Sequence, residues 1–209
     1  MDTSYNPTSF EPKIYEAWED SGVFQAKNDD KAKSFLITMP PPNVTGALHM
    51  GHALFVSIQD TYIRWKRMQG YNALWLPGTD HAGIATQVMV ERQVESEGTS
   101  RLKLGREEFV KRIWEWKAEY GGTINEQIRS LGASCDWDRG LFTLDEKSSR
   151  AVRESFGRLF HEGHIYRGER IVNWSSGLQT AISDLEVELR PVQGSFYYLK
   201  YLLADGSGE

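Results

Sequence analysis

Two histidines, His49 and His52, stand just after a proline-rich turn, and their type and spacing suit phosphate chemistry. A β-favouring run, Ser34 to Met39, ends at three consecutive prolines, and the apolar pattern of a helix follows them. Such a turn directs the N-terminal amides of the helix, with their partial positive charge, at the ligand edge of a sheet. Histidines three residues apart share a helical face, so two imidazole donors are predicted beside those amides. The segment therefore predicts a site for a triphosphate.

A structural or metal-binding role for the histidine pair is less well supported by its surroundings, although such pairs on helices are in general more often structural or metal-related. No cluster of Cys, His or carboxylate residues lies nearby at metal-ligand spacing, and the pair opens a helix directly after a strand. The sequence contains neither the Gly-Lys-Ser/Thr of a P-loop nor Gly-x-Gly-x-x-Gly, which excludes two common phosphate-binding motifs. Gly51, between the histidines, is predicted to let a nucleotide approach the backbone.

The elements around this segment predict a strand, a helix and a second strand, the βαβ unit whose strands are parallel. The helix is predicted from Leu48 to about Gln69 and the second strand from Tyr71 to Leu76. Apolar residues at steps of three and four predict the buried stripe of this helix: Phe55, Ile58, Tyr62 and Trp65. Ligands bind at the C-terminal ends of the strands in such sheets.

Three further helices and two β-rich segments are predicted along the rest of the chain. A helix over Ile84–Glu97 precedes a longer one that breaks at Gly121 and Gly122. Thr143 and Glu146 have the spacing of a capping box and open a third helix that stops at Gly163. The buried face of the longer helix is predicted to carry Phe109, Ile113, Trp116 and Tyr120, and the third helix carries Val152, Phe156, Leu159 and Phe160. The β-rich segments are Ile165–Trp174, a third strand, and Phe196–Leu203.

Composition limits the class of protein. Hydrophobic residues make up 40% and charged residues 25% of 209 residues, values typical of a soluble globular protein. The net charge of -5 argues against a surface that binds nucleic acid throughout. The single cysteine, Cys135, excludes an internal disulfide and is interpreted as a packing residue. The sequence shows neither a bilayer-length apolar run nor a secretory start, so a cytoplasmic, non-membrane protein is predicted.

The string His49-Met50-Gly51-His52 resembles the first signature of the class I aminoacyl-tRNA synthetases, usually written His-Ile-Gly-His. Three strings are similar to the valyl members of that family: Pro40–His52, Gly78–Gln87, and Asn173-Trp174 with Thr180–Glu188. The resemblance covers essentially the whole chain. It implies an α/β fold, namely the first half of a Rossmann-like parallel sheet with helical insertions, followed by the start of a β-rich insertion. The implied segments are 1–33 (N-terminal, helical), 34–178 (catalytic half-domain) and 179–209 (connection to an editing domain).

The resemblance also implies roles for individual residues. His49 and His52 would be catalytic and hold the ATP phosphates, within an ATP site formed by Thr45, Gly46, His49, Gly51, His52 and His81. Asp80 would accept the ammonium group of valine, with the carbonyl of Pro41 and the side chain of Asn43 beside it. From the residues alone, a turn-forming aspartate after Pro77-Gly78 is the preferred interpretation of Asp80. A buried, hydrogen-bonded histidine explains His81 equally well. Basic residues of the first helix could face tRNA or form a solvated helix face: Arg64, Lys66 and Arg67.

The resemblance implies ATP with Mg²⁺, valine and a valine-specific tRNA as ligands, the tRNA mainly through domains outside this chain. Where some relatives carry a Cys-x-x-Cys zinc half-site, this chain has Ser175-Ser176-Gly177-Leu178, so zinc is not expected. The second signature, Lys-Met-Ser-Lys-Ser, does not occur in the sequence. The full-length protein is therefore expected to be a valine–tRNA ligase and the isolated chain to be inactive. The alternative is a non-catalytic module or paralogue that binds a nucleotide or an adenylate.

Overall fold

A βαβ unit organises the first part of the chain, as the sequence predicts. In the computed structural model, β1 (Ser34–Thr38) and β2 (Asn72–Leu76) pair in parallel, with Phe35 opposite Ala73 and Ile37 opposite Trp75. The connecting helix α2 (Met50–Met68) contacts both strands. The structure describes residues 4–29, 31–201 and 203–205.

The other α-helices of the described residues are α1 (Pro7–Asp20), α3 (Ile84–Ser96), α4 (Arg101–Ser130) and α5 (Glu146–His161).

Residue contacts divide the chain into two units, Met1–His161 and Glu162–Glu209. The segment boundaries after residues 33 and 178 follow the organisation of the resembling family and stay predictions. Within the described part of the chain, no helix is long and apolar enough to cross a membrane.

The third parallel strand does not lie where the sequence predicts it. After Pro77, the path of β2 continues as β3 (Gly78–Thr79), which pairs in parallel with β4 (Leu141–Phe142). The carbonyl of Thr79 accepts a hydrogen bond from Thr143 (3.2 Å), whereas the N–H of Asp80, in the same peptide group, donates in the other direction. The segment that ends in β4 therefore lies on the side of β3 opposite to the proline-rich turn.

The prediction of a strand over Ile165–Trp174 is wrong for most of its length. Only its last two residues lie in a strand, β5 (Asn173–Ser175), which forms an antiparallel hairpin with β6 (Thr180–Ile182) in the second unit. Strand-like composition is not enough, because a strand also needs a neighbour for its N–H and C=O groups. The same reason applies to the predicted β-rich run: residues 196–201 and 203 form no strand, and residue 202 lies outside the described residues.

The buried stripe of α2 is one residue away from the predicted one. Val56 and Ile63 are 1% and 0% exposed and belong to the main core cluster. Of the predicted stripe, Phe55 is partly buried against this cluster, whereas Tyr62 and Trp65 are 50% and 49% exposed. Positions one residue apart are rotated by about 100° around a helix, so a single sheet buries only one of the two sides. The buried side also carries polar residues that hydrogen-bond within the fold, and the sequence pattern does not show these bonds.

The predicted break at Gly121 and Gly122 is also wrong, since α4 runs through both residues. The irregular position of α4 is instead Gly105, where φ is 75°. Beyond the two glycines, Ile124 and Ile128 are 0% and 1% exposed in the main core. Burying two such side chains stabilises by about 1.5–3 kcal/mol each, which exceeds the cost of about 1 kcal/mol per helical glycine.

The face of α4 before these glycines packs as predicted. Phe109 is buried against Val90 and Val94 of α3, and Ile113 and Trp116 are partly buried against the same cluster. Trp116 also stacks on Tyr120, which completes the predicted face, with 4.0 Å between the ring centroids. Cys135 is buried in the main core, and this burial raises the pKa of its thiol, as fits a packing residue.

Two arginines of α2 belong to the packing of the first unit rather than to a solvated face. Arg64 donates to the carbonyl of Gly132 (2.7 Å), and Arg67 donates to the carbonyls of Phe24 (3.1 Å) and Ser134 (2.9 Å). Burial lowers the pKa of the Arg67 guanidinium. Both side chains therefore tie α2 to the segment that leads into β4.

Replacing a residue of the buried stripe should destabilise the fold far more than replacing one of the predicted stripe. We expect Ile63→Ala to lower the free energy of unfolding by about 2–5 kcal/mol, because it leaves a cavity in the main core. The matched change Trp65→Ala on the same helix should cost much less, since half of that side chain is already in solvent. Urea denaturation followed by circular dichroism measures both. An equal or larger loss for Trp65→Ala would contradict this assignment of the buried face.

Candidate functional site

Two backbone hydrogen bonds join the proline-rich turn to the end of β3. The N–H of Val44 donates to the carbonyl of Asp80 (3.0 Å), and the N–H of Asp80 donates to the carbonyl of Pro42 (2.8 Å). These bonds form an isolated parallel bridge between Asn43 and Asp80. The structure thus brings together Asn43 and Asp80, two residues that the sequence resemblance assigns to one ligand amine, with Pro41 two residues before Asn43.

His49 and His52 cap the N-terminus of α2 reciprocally. His49 is the N-cap residue, and its Nδ1 accepts a hydrogen bond from the N–H of Gly51 (3.1 Å). The Nδ1 of His52 in turn accepts from the N–H of His49 (3.2 Å), and the two ring centroids are 4.0 Å apart. The histidines are therefore adjacent, as predicted, although His49 lies before the helix rather than on its face.

This cap determines which ring nitrogen carries the proton. A backbone N–H is always a donor, so the Nδ1 atoms of both histidines must be unprotonated. The proton of each neutral ring is then on Nε2. Burial, followed by the nearby charge of His49, lowers the pKa of His52, which favours its neutral form. The pair thus offers Nε2–H donors next to the N-terminal amides of α2.

The absence of a side chain at Gly51 leaves space for the His49 ring. A β-carbon at position 51 would lie 2.9 Å from Cε1 and 3.0 Å from Nδ1 of His49, closer than real β-carbons approach other atoms. The space predicted for an approaching nucleotide is therefore occupied by the imidazole. In this structure the glycine allows the cap to close.

A cavity of about 380 Å³ lies at this turn. Both histidines line it, together with the predicted residues Pro41, Asn43, Thr45 and Gly46. Asp80, His81 and Gly51 are not among its lining residues, although Asp80 is bridged to Asn43. A larger groove of about 1070 Å³ lies between α1 and the end of α4, and none of the predicted site residues line it.

Two residues of α4 hold the turn in place. The indole N–H of Trp116 donates to the carbonyl of Val44 (2.8 Å), and the side-chain oxygen of Gln127 accepts from the N–H of Leu48 (2.8 Å). The sequence pattern predicts Trp116 on the core face and indicates no role for Gln127. No local pattern marks either of them as a support of the turn, because their partners are more than seventy residues away.

Thr143 connects Asp80 and His81. Its hydroxyl donates to Oδ1 of Asp80 (3.0 Å) and accepts from the backbone N–H of His81 (2.9 Å). The Nδ1 of His81 lies 2.6 Å from the same hydroxyl oxygen and 3.3 Å from Oδ1 of Asp80. His81 is thus partly buried and hydrogen-bonded, next to the predicted amine site.

The predicted capping box of Thr143 and Glu146 is wrong. Asp145 caps α5 instead, because its Oδ1 accepts from the N–H of Ser148 (2.7 Å) and its Oδ2 from the N–H of Phe142 (3.2 Å). The bond from Ser148 is the main cause of a lowered pKa at Asp145. Since Asp145 caps the helix, the Thr143 hydroxyl is not needed there and bonds Asp80 and His81 instead.

Asp80 forms a turn and also keeps an oxygen for a ligand, so the two roles that its sequence position allows are compatible. Its Oδ1 accepts from the N–H of Ala82 (3.2 Å), which is the bond of a turn-forming aspartate. The turn holds Ala82 and Gly83 at φ values of 52° and 46°, and a non-glycine residue at positive φ is costly by about 1–2 kcal/mol. Among the described residues, none donates to the other oxygen, Oδ2. One oxygen forms the turn, and the other remains available to a ligand.

The segment Ser175-Ser176-Gly177-Leu178 lies at the turn of the β5–β6 hairpin. The N–H of Leu178 donates to the hydroxyl of Ser175 (3.2 Å), and Gln179 has a φ of 54°. Across the described residues, no group of three or more His, Cys, Asp or Glu side chains is placed to hold a metal ion.

Comparison with known proteins identifies the class of the chain. Residues 13–200 match the family model of the class I tRNA synthetases (I, L, M and V). The chain belongs to this family. A fold of the same kind occurs in a solved structure, the ternary complex of an Agrobacterium radiobacter LeuRS with tRNA and LeuAMS. The TM-score is 0.74 at 22% identity, over 88% of this chain and 22% of that chain.

Within this class, the chain is similar to valine–tRNA ligases. It is 59% identical to that of Bdellovibrio bacteriovorus over 204 residues, which cover 98% of this chain and 23% of the relative. It is 58% identical to the chloroplastic/mitochondrial valine–tRNA ligase 2 of Arabidopsis thaliana, over 94% of this chain and 20% of the relative. The chain thus spans about a quarter or less of the length of these relatives.

The reciprocal cap predicts a pH-sensitive start of α2. The lowered pKa of His52 means that the folded state favours the neutral ring, so this stabilisation is complete above about pH 6.5. It is lost as the pH falls through the lower pKa of the folded state. Because Nδ1 of His52 then carries a proton, it no longer accepts from the N–H of His49. We expect the amide resonance of His49 to shift over this range in an NMR titration of the chain.

His52→Gln is the matched control, because glutamine at this position of a capping box accepts from the N-cap amide without titrating. The shift of the His49 amide should shrink strongly in this variant. A shift that keeps its full size and midpoint would show that His52 is not the group that controls the cap.

Proposed function

We propose that this chain carries the first part of the active site of a valine–tRNA ligase. The full-length protein would activate valine with ATP to valyl-adenylate and transfer valine to the 3' end of its tRNA. The identity of 55–59% to valine–tRNA ligases over nearly the whole chain supports the substrate. The observation that carries the proposal is the bridge that holds Asp80 beside Asn43, a residue lining the cavity formed by His49 and His52. The parallel pairs around this bridge would be the first half of a Rossmann-like domain.

Valine would bind through its ammonium group at the Asn43–Asp80 bridge. Oδ2 of Asp80 provides the negative charge, and the Asn43 side chain and the Pro41 carbonyl provide further acceptors. A charge-assisted hydrogen bond of this kind is about twice as strong as a neutral one. The carboxylate of valine would then be directed at the nucleotide in the neighbouring cavity.

ATP, entering as its Mg²⁺ complex, would lie along the cavity at Thr45, Gly46, His49 and His52, with Gly51 behind the His49 ring and His81 at the nucleotide. An oxygen of the valine carboxylate attacks the α-phosphorus, and the bond from this phosphorus to the bridging oxygen of pyrophosphate breaks. Negative charge then grows on the departing pyrophosphate. The Nε2–H groups of His49 and His52 are donors fixed before the reaction by the cap, which is the arrangement that stabilises developing charge. The Mg²⁺ ion would be held mainly by the phosphates.

The second hypothesis, a non-catalytic module that binds a nucleotide or an adenylate, would require the same cavity. Two observations favour the catalytic alternative. The chain is similar to ligases, and it contains both the Nε2–H donors of His49 and His52 and the free Oδ2 of Asp80. A non-catalytic module would bind ligands but show no valine-dependent exchange of pyrophosphate with ATP in the full-length protein.

Removing either histidine should slow the chemical step in the full-length protein. We expect His49→Ala or His52→Ala to reduce the rate of adenylate formation by about a hundredfold or more, because each removes a donor to the transition state. The Michaelis constant (KM) for valine should change little. Valine-dependent pyrophosphate exchange measures both quantities. A change confined to the KM for valine would place the histidines in the amino-acid pocket instead.

Asp80→Asn should mainly weaken valine binding, since the amide keeps the shape of the side chain and removes its charge. A charge-assisted hydrogen bond contributes about 1.5–3 kcal/mol, so we expect a loss of about ten- to a hundredfold in valine affinity. Isothermal calorimetry with valine and thermal melting of the same protein test this. Unchanged affinity together with lower thermal stability would show that Asp80 serves only the turn.

A further inference from the structure

We propose that Thr143 is a positioning residue for the valine site: its hydroxyl orients the Asp80 carboxylate and selects the tautomer of His81. This inference rests on the proposed function, because it assigns a purpose to the free oxygen of Asp80. It concerns a residue on the C-terminal side of β4, about sixty residues beyond the strings that define the site.

The contacts of the Thr143 hydroxyl allow only one acceptor for its proton. A hydroxyl has one proton and two lone pairs. One lone pair accepts the backbone N–H of His81 (2.9 Å). The proton can go to Oδ1 of Asp80 (3.0 Å) or to Nδ1 of His81 (2.6 Å). A carboxylate can only accept, so giving the proton to His81 would leave two oxygens facing each other without a hydrogen.

The hydroxyl proton therefore belongs to Asp80, and Nδ1 of His81 carries its own proton and donates to the hydroxyl. The neutral His81 ring then has an unprotonated Nε2, which can accept a hydrogen bond. This is the opposite tautomer to that of His49 and His52, whose Nδ1 atoms both accept backbone N–H groups.

The position of the hydroxyl is set by backbone pairing, independently of α2 and the histidine cap. Thr143 directly follows β4, and its N–H donates to the carbonyl of Thr79 (3.2 Å). The N–H of Phe142, one residue earlier, is held by Asp145 (3.2 Å). Because the backbone is held at Thr143 and at the residue before it, the side chain loses little further freedom when it bonds Asp80.

The two carboxylate oxygens of Asp80 therefore have different surroundings. Oδ1 accepts from the Thr143 hydroxyl and from the N–H of Ala82, so its lone pairs are in use. No described residue donates to Oδ2, and the Asp80 side chain is 34% exposed. Without the Thr143 bond, the carboxylate could rotate about its terminal torsion, which is broad for aspartate, and the ammonium acceptor would lose its direction.

A double-mutant cycle in the full-length ligase tests this coupling. Thr143→Val has nearly the same shape and lacks the hydroxyl, whereas Thr143→Ser keeps it. We expect Thr143→Val to raise the KM for valine about tenfold, the scale of one lost hydrogen bond to a charged group. The kcat of pyrophosphate exchange should stay within about twofold, because the donors on His49 and His52 are unchanged, and Thr143→Ser should restore the valine constant.

The decisive comparison uses Asp80→Asn as the background. If Thr143 acts through the charge of Asp80, adding Thr143→Val to Asp80→Asn should raise the KM for valine by less than about twofold. A further increase near tenfold would overturn the inference, because the two residues would then act independently. If Asp80→Asn alone leaves the valine constant unchanged, the amine site of the proposed function fails, and that result is distinct from independence of the two residues.

Thr86→Val separates positioning from general order of the loop. The hydroxyl of Thr86 donates to the carbonyl of His81 (2.7 Å), so the variant removes one hydrogen bond from the same loop and none from Asp80. It should lower the melting temperature and leave the KM for valine within about twofold. An increase equal to that of Thr143→Val would show that loop order alone sets the affinity and would overturn the assignment of Thr143.

Discussion

The isolated bridge between Asn43 and Asp80 is the interaction on which the rest of the site depends. Prolines 40 to 42 have no N–H and cannot continue the parallel ladder, so the pairing stops after the N–H of Met39 reaches the carbonyl of Leu76 (2.9 Å). It resumes at Val44. Within the described residues, no N–H reaches the carbonyl of Pro41 in the gap. The prolines thus keep two segments parallel while leaving a backbone acceptor for a ligand, and the resumed pairing prevents the gap from widening.

The three histidines near this bridge have two protonation patterns, and both patterns have the same cause. Each Nδ1 atom has a partner inside the protein, and the nature of that partner decides its state. The Nδ1 atoms of His49 and His52 accept backbone N–H groups, so the Nε2 atoms of both rings are donors. The Nδ1 of His81 donates to a hydroxyl whose proton is already used, so its Nε2 is an acceptor. The two sides of the site therefore differ in polarity, although they use the same residue type. A phosphate suits the donor side, and a group with N–H or O–H bonds suits the other.

How much the sequence alone predicts depends on how local the determining interactions are. The parallel pair β1–β2, helices α2 and α3, and the closeness of His49 to His52 follow from short patterns. The buried stripe of α2 does not, because the side that carries Val56 also carries polar residues, whose hydrogen-bond partners lie on distant segments of the chain. The place of the third strand depends on which segment reaches the edge of β3, and Leu141-Phe142 is too short to be recognised. Thr143 and Asp145 are both possible local caps of α5, and only the tertiary structure shows that the Thr143 hydroxyl bonds Asp80 instead.

The glycine between the two histidines also limits how such a protein can be made more resistant to heat. Replacing helical glycines with alanine reduces the freedom of the unfolded chain and commonly adds stability of about 0.4–1 kcal/mol per site. At Gly51 this route is closed, because a methyl group would press on the His49 ring. At Gly122, an exposed residue in the middle of α4, no atom lies within 4 Å of the added carbon. Stabilising substitutions are thus available in the supporting helix and unavailable at the first turn of α2, where the requirement of the cap takes precedence over helix propensity.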